Sequence, residues 1–190
     1  MSSTEPLERA IAVGKQVLAG VSKDDLDKST PCASWDVRGV LNHLIGANDF
    51  FVTSMAGGSP SGDDGSVDFA SGDFRVAFDE GAARTLAAFS APGALEKIAN
   101  LPWGPMPGAA FMGLATTDIV THSWDLAKAT GQSTDLDPEL AAQLLEGSKA
   151  SIQDAFRGPD GSGAPFGPEQ QAPAGATNAD KLAAFLGRTV

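Results

Sequence analysis

The sequence predicts an all-α fold: a bundle of long helices joined by long crossover connections and followed by a short C-terminal helix. Three observations predict it. Apolar residues recur at the helical period along most of the chain. Asp, Asn and Pro stand where such segments begin, and Gly stands where they end. No stretch shows the sustained apolar–polar alternation of a half-buried strand.

The first helix takes Pro6 into its opening turn. Leu7, Ala10, Ile11, Val13, Val17, Leu18 and Val21 form its apolar side, and it ends near Val21. Asp36 caps a second helix that runs to about Ala56, with Val37, Val40, Leu41, Leu44, Phe51, Val52 and Met55 on one stripe, and stops at Gly57-Gly58. Gly57 to Gly72 is rich in Gly, Ser, Pro and Asp and is expected to be an exposed, mobile crossover. A third helix from about Asp73 to Phe89 is anchored by Phe74, Phe78, Leu86 and Phe89. Ala91 to Pro107 contains four prolines and is expected to be irregular. The fourth helix spans about Ala109 to Thr130 and is closed by Gly131. Asp137-Pro138 opens a fifth, expected to reach Phe156. After a Gly- and Pro-rich stretch from Arg157 to Thr177, Asn178 caps a terminal helix over Ala179 to Leu186, ending at Gly187.

At 190 residues the chain is long enough for one sizeable core, and residues 1–190 read as a single domain without internal repeats. Apolar residues make up 42%, too many for a disordered chain, yet no apolar run approaches the roughly 20 residues that span a bilayer. Met1 to Glu8 is polar and acidic where a secretory signal has a basic start and an apolar stretch, so the expected location is the cytoplasm. The formal charge of -11 argues against nucleic acid or an anionic membrane as partner, because such binders need clustered Lys and Arg. Cys32 is the only cysteine, which rules out an intrachain disulfide and a thiolate metal cluster. With no Tyr and two His, few side chains are left for acid–base work near neutral pH.

On the wheel of the fourth helix, Phe111, Met112, Ala115, Ile119, Leu126 and Ala129 share one side, and Asp118 and His122 fall within it. An ionised carboxylate is thereby aimed at the core, where it needs a charge partner or a metal. His122 follows one turn later on the same face, the spacing that presents two ligands to one ion. His43, beside Ala47 and Phe50, stands at the edge of the second helix's apolar stripe, so both histidines can face one interior. Asp125, nearly one turn beyond His122, can hold the second imidazole nitrogen. The same spacing is equally satisfied by an Asp–His pair that needs no ion. Trp35 and Trp124 can line a ligand entrance, but a Trp near a helix start reads first as a packing anchor. Cys32, with no His or basic residue close in sequence except Arg38, reads as a buried or incidental thiol. The loop Pro102 to Gly108 serves either as a pocket mouth or as a rigid connector.

Two longer words carry a resemblance. Thr30-Pro31-Cys32-Ala33-Ser34-Trp35-Asp36-Val37-Arg38 precedes Leu41-Asn42-His43-Leu44, and Asp118-Ile119-Val120-Thr121-His122-Ser123-Trp124-Asp125-Leu126-Ala127 precedes Ala129-Thr130-Gly131. Together with Phe166-Gly167-Pro168 and Phe185-Leu186-Gly187-Arg188, they resemble the actinobacterial DinB-like proteins related to the N-terminal domain of mycothiol-dependent maleylpyruvate isomerase. The resemblance implies a DinB-like four-helix bundle. It also implies a divalent metal, zinc or nickel, held by three His or carboxylate ligands, which here fall on His43, Asp118 and His122. Asp118 stands where the isomerase carries Glu. The implied chemistry belongs to the low-molecular-weight-thiol S-transferase and isomerase class, with mycothiol as cosubstrate and a small electrophile as substrate. The isomerase has a further C-terminal domain that this chain, ending at Val190, is expected to lack, so the chemistry transfers as a class only. The metal would bind and deprotonate the thiol, while Asp125 and Arg188 are the remaining candidates for proton transfer. A homodimer is compatible with this reading, and the alternative is a non-catalytic metal- or ligand-binding bundle.

Overall fold

A computed structural model describes residues 3–59, 67–159 and 161–190. Its main elements in chain order are α1 (Glu5–Ala19), α2 (Val37–Met55), α3 (Phe74–Ser90), β1 (Ile98–Leu101), β2 (Gly104–Pro107), α4 (Gly108–Ala129), α5 (Pro138–Ser151) and α6 (Asn178–Phe185). The four longest helices form the bundle. α1 packs mainly on α4 and α2 on α3, with further contacts of α2 on α4 and α1 on α3. Neighbours therefore run α1, α4, α2, α3 around the bundle, so the α1–α2 and α3–α4 connections cross diagonals. α5 and α6 pair with each other, and α6 also contacts α4.

Local chemistry accounts for each start. Asp36 accepts a hydrogen bond from the Gly39 amide at 2.8 Å, and Asp73 accepts from Arg75 and Val76. Asp137 does the same for Leu140 while holding a left-handed φ of 37°, a conformation backed by its pairing with Arg9 of α1. Close helix approach is set by small residues. A Cβ on Gly14 of α1 would meet the Phe78 ring of α3 at 2.7 Å, so glycine is what lets these helices touch.

Three expectations are corrected. Residues 98–107 form an antiparallel hairpin, with Ala99 and Leu101 turned inward, and not an irregular stretch. The fifth helix stops at Ser151, because Ile152 turns extended; a short 3-10 turn at Asp154–Phe156 follows. The last helix is capped by Thr177, whose hydroxyl accepts from the Asp180 amide at 3.0 Å while Asp180 accepts from the Thr177 amide; Asn178 is its first helical residue. The expected crossover from Gly57 to Gly72 lies partly outside the described residues; its described end carries a 3-10 turn at Phe69–Ser71, with Ala70 buried. Among the described residues, no helix is long and apolar enough to cross a membrane.

Candidate metal centre

α2 and α4 meet along a seam, and the predicted polar residues meet on it. His43 Nε2 lies 3.2 Å from Asp118 Oδ1, and His122 Nε2 lies 3.6 Å from the same oxygen. The two imidazole rings are 4.7 Å apart, edge to face. His43, Asp118 and His122 thus offer three ligand atoms within 4.8 Å of one another. Ligands held at roughly 2.0–2.2 Å around a tetrahedral ion stand roughly 3.3–3.6 Å apart. The 3.6 Å distance falls within that spacing and the 3.2 Å distance just below it.

The opposite edge of His122 is fixed by a second carboxylate. Its Nδ1 is 3.0 Å from Asp125 Oδ2, as the sequence suggested. Asp125 is fully buried and is clamped by Arg188, whose Nη2 and Nε donate to its two oxygens at 3.1 and 3.3 Å. A carboxylate held in this way is an acceptor, so Nδ1 of His122 carries the hydrogen of their bond. In the neutral ring the lone pair on Nε2 then faces the Asp118 carboxylate. Two acceptors face each other there, an arrangement that calls for a cation. Asp118 Oδ2 is also buried and has no hydrogen-bond partner among the described residues. An orphaned carboxylate oxygen beside two imidazoles is a donor set suited to a divalent metal of the zinc or nickel kind.

Burial works to push the Asp118 carboxyl upward. The charge and hydrogen bond of His43, followed by the charges of His122 and Arg188, outweigh it and hold the group below the ordinary carboxylate value. Arg188 is itself held above the ordinary guanidinium value: Asp125 chiefly, with Cys32 and Asp118, overcomes the effect of burial.

Trp35 and Cys32 also lie against this cluster. The Trp35 ring stacks on His43 at 4.5 Å between centroids and 27° between planes, and lies 5.6 Å from His122. Its loop is pinned by Thr30, whose hydroxyl donates to the Trp35 carbonyl at 2.7 Å and accepts from the Cys32 amide at 3.1 Å. Cys32 is half-buried and forms a second cluster with His122 and Asp125, its ligand atoms within 4.8 Å. No basic residue but Arg38 is close to Cys32 in sequence, yet His122 and Arg188 come near it from other segments. Trp124 is a packing anchor as expected: it is buried and donates from Nε1 to Asp180 at 2.9 Å. The loop ahead of α4 is the hairpin, where the exposed Trp103 stacks on Phe50 at 5.7 Å.

Comparison with known proteins gives concordant results. The model of the mycothiol maleylpyruvate isomerase N-terminal domain family matches residues 7–127. Two proteins of Mycobacterium tuberculosis, from two strains and both described as uncharacterized, are each 42% identical over 185 residues, covering 96% of this chain and 96% of each relative. A crystal structure of the mycothiol-dependent maleylpyruvate isomerase superposes with a TM-score of 0.57 at 14% identity, over 76% of this chain and 70% of that one. At that identity the structural match speaks for the fold.

Proposed function

The chain belongs to the mycothiol maleylpyruvate isomerase N-terminal domain family, and from that premise we propose that it is a divalent-metal-dependent enzyme joining a low-molecular-weight thiol of the mycothiol type to a small electrophile, by S-transfer or by thiol-assisted isomerisation. One observation carries the reading: the Nε2 edge of His122 and the Asp118 carboxylate face each other across 3.6 Å, and the other Asp118 oxygen is buried without a hydrogen-bond partner among the described residues. His43, Asp118 and His122 would hold the ion. Three protein ligands leave a coordination position for substrate, as in catalytic metal sites. When bound, such an ion supplies the charge that strips a thiol of its proton near neutral pH.

The chain's own residues then have separate roles. Asp125 keeps Nδ1 of His122 occupied, so that Nε2 points to the seam. Trp35 covers one face of His43. Residues 1–190 are read as one domain acting in the cytoplasm on small molecules; the acidic charge speaks against nucleic acid or an anionic membrane as partner.

A second reading is a non-catalytic bundle in which His122 is an imidazolium bridging Asp118 and Asp125. The two carboxylates against the ring favour it: Asp118 lies 3.6 Å from Nε2 and Asp125 3.0 Å from Nδ1 of His122. Metal analysis of protein purified without an affinity tag, before and after loading with zinc, nickel, iron or manganese, separates the two. The metal reading expects one ion per chain, lost in His43→Ala, Asp118→Asn and His122→Ala and retained in Cys32→Ser. A wild-type chain that takes up none of the four metals would exclude it.

A further inference from the structure

Arg188 reaches the site from far along the chain. It lies 63 residues beyond Asp125 and outside the stretch matched by the family model. Its placement is built by the backbone. The Gly187 amide donates to Ala184 and the Arg188 amide to Ala183, closing α6 in a Schellman turn. Gly187 takes a φ of 99°, and a Cβ there would sit 2.6 Å from the Cα of Gly167. The two glycines cross backbone to backbone. That crossing excludes any side chain and directs Arg188 inward, where its guanidinium is largely buried and also donates from Nη1 to the Leu186 carbonyl at 3.2 Å.

We infer that Arg188 is a positioning residue of the site: from the C-terminal segment it clamps Asp125, and through Asp125 it fixes His122 with Nε2 facing Asp118 and His43. The chemistry is a relay of geometry. With both carboxylate oxygens engaged by the guanidinium, Asp125 can neither rotate nor present a hydrogen, so the imidazole meets a fixed acceptor at Nδ1. Without the clamp, the carboxylate is free to turn and the ring can place its hydrogen on either nitrogen. The consequence for metal affinity rests on the reading of the site proposed above; the orientation of the ring does not.

The chain has two histidines, so the test is direct. Imidazole 15N shifts are recorded on the metal-free full-length protein at about pH 8.5, well above the ordinary imidazole pKa, and cobalt(II) affinity is followed by the visible spectrum. In wild type, His122 is expected to show a protonated Nδ1 and a bare Nε2. Arg188→Ala should give averaged or reversed shifts and weaken cobalt binding about 10- to 100-fold, the usual effect of losing an outer partner. Arg188→Lys keeps the charge without the fork and should fall between. Unchanged shifts and cobalt affinity in Arg188→Ala would overturn the inference, as would wild-type behaviour in Arg188→Lys if Arg188→Ala does not fold. A wild-type chain that binds no cobalt but loses its tautomer in Arg188→Ala would defeat the metal reading and leave this one standing. Cobalt binding with a tautomer indifferent to position 188 would do the reverse.

Discussion

Gly39 is the residue that lets Trp35 lie over His43. A Cβ on Gly39 would come within 2.9 Å of the Trp35 Cβ and 3.1 Å of its ring, so any side chain pushes the indole off the helix. Gly39→Ala should raise the intrinsic helix propensity of α2 by up to about 1 kcal/mol while disturbing the ring stack. The expected result is an altered near-ultraviolet circular dichroism and tryptophan emission with far-ultraviolet helicity preserved. Unchanged spectra would mean that the loop held by Thr30 absorbs the methyl without moving the ring. The same loop shows what was legible at this scale. Asp118, His122 and Asp125 could be read from the sequence because they share one helix, where spacing dictates the face. Arg188 was named only through the resemblance, and where it and the loop residues Trp35 and Cys32 would lie could not be read, because they arrive from a loop and a C-terminal turn whose positions depend on backbone crossings such as Gly167 against Gly187.

At the level of elements, Asp180 does two things at once. It closes the capping box of α6 and accepts from Trp124 Nε1, tying α6 to α4. Burial would raise its carboxyl, but the hydrogen bonds from Trp124, Thr177 and Thr134 prevail and hold it below the ordinary value. A group depressed on folding adds stability above its unfolded pKa of about 3.9, and that stability is lost as pH falls through the folded value. Asp180→Asn should therefore cost about 1 kcal/mol in urea unfolding at pH 7, and the gap to wild type should close as pH drops below about 4. A gap that stays constant with pH would show that the carboxyl's charge is not what the box uses. The bundle helices were readable from periodicity and caps. The hairpin was not, because β1 alternates over only four residues and two of the four in β2 are prolines, which break the usual strand signature. The end of α5 was misread because Ile152 and Phe156 continue the helical spacing after the helix has ended; in the structure Phe156 is 46% exposed.

Across the whole molecule, the order α1, α4, α2, α3 follows from which apolar faces complement one another, and no local signal in the sequence sets it. Its functional result is that the candidate ligands sit on two bundle helices joined by a long stretch of chain, with His43 and Asp118 75 residues apart. That separation bears on how the protein breathes. Amide hydrogen exchange reports the free energy of each local opening, and on the proposed reading an ion shared between α2 and α4 would have to be released before either helix could open. At a metal concentration about 100 times the dissociation constant, the added protection is about 2.7 kcal/mol. It should appear equally in the slow amides of α2 and α4, and not in openings confined to α5, which supplies no ligand. Equal slowing in all the helices would mean that the exchange proceeds by global unfolding; slowing in α4 alone would mean that His43 is not a ligand. The seam would then act as a latch that turns two separately opening segments into one cooperative unit.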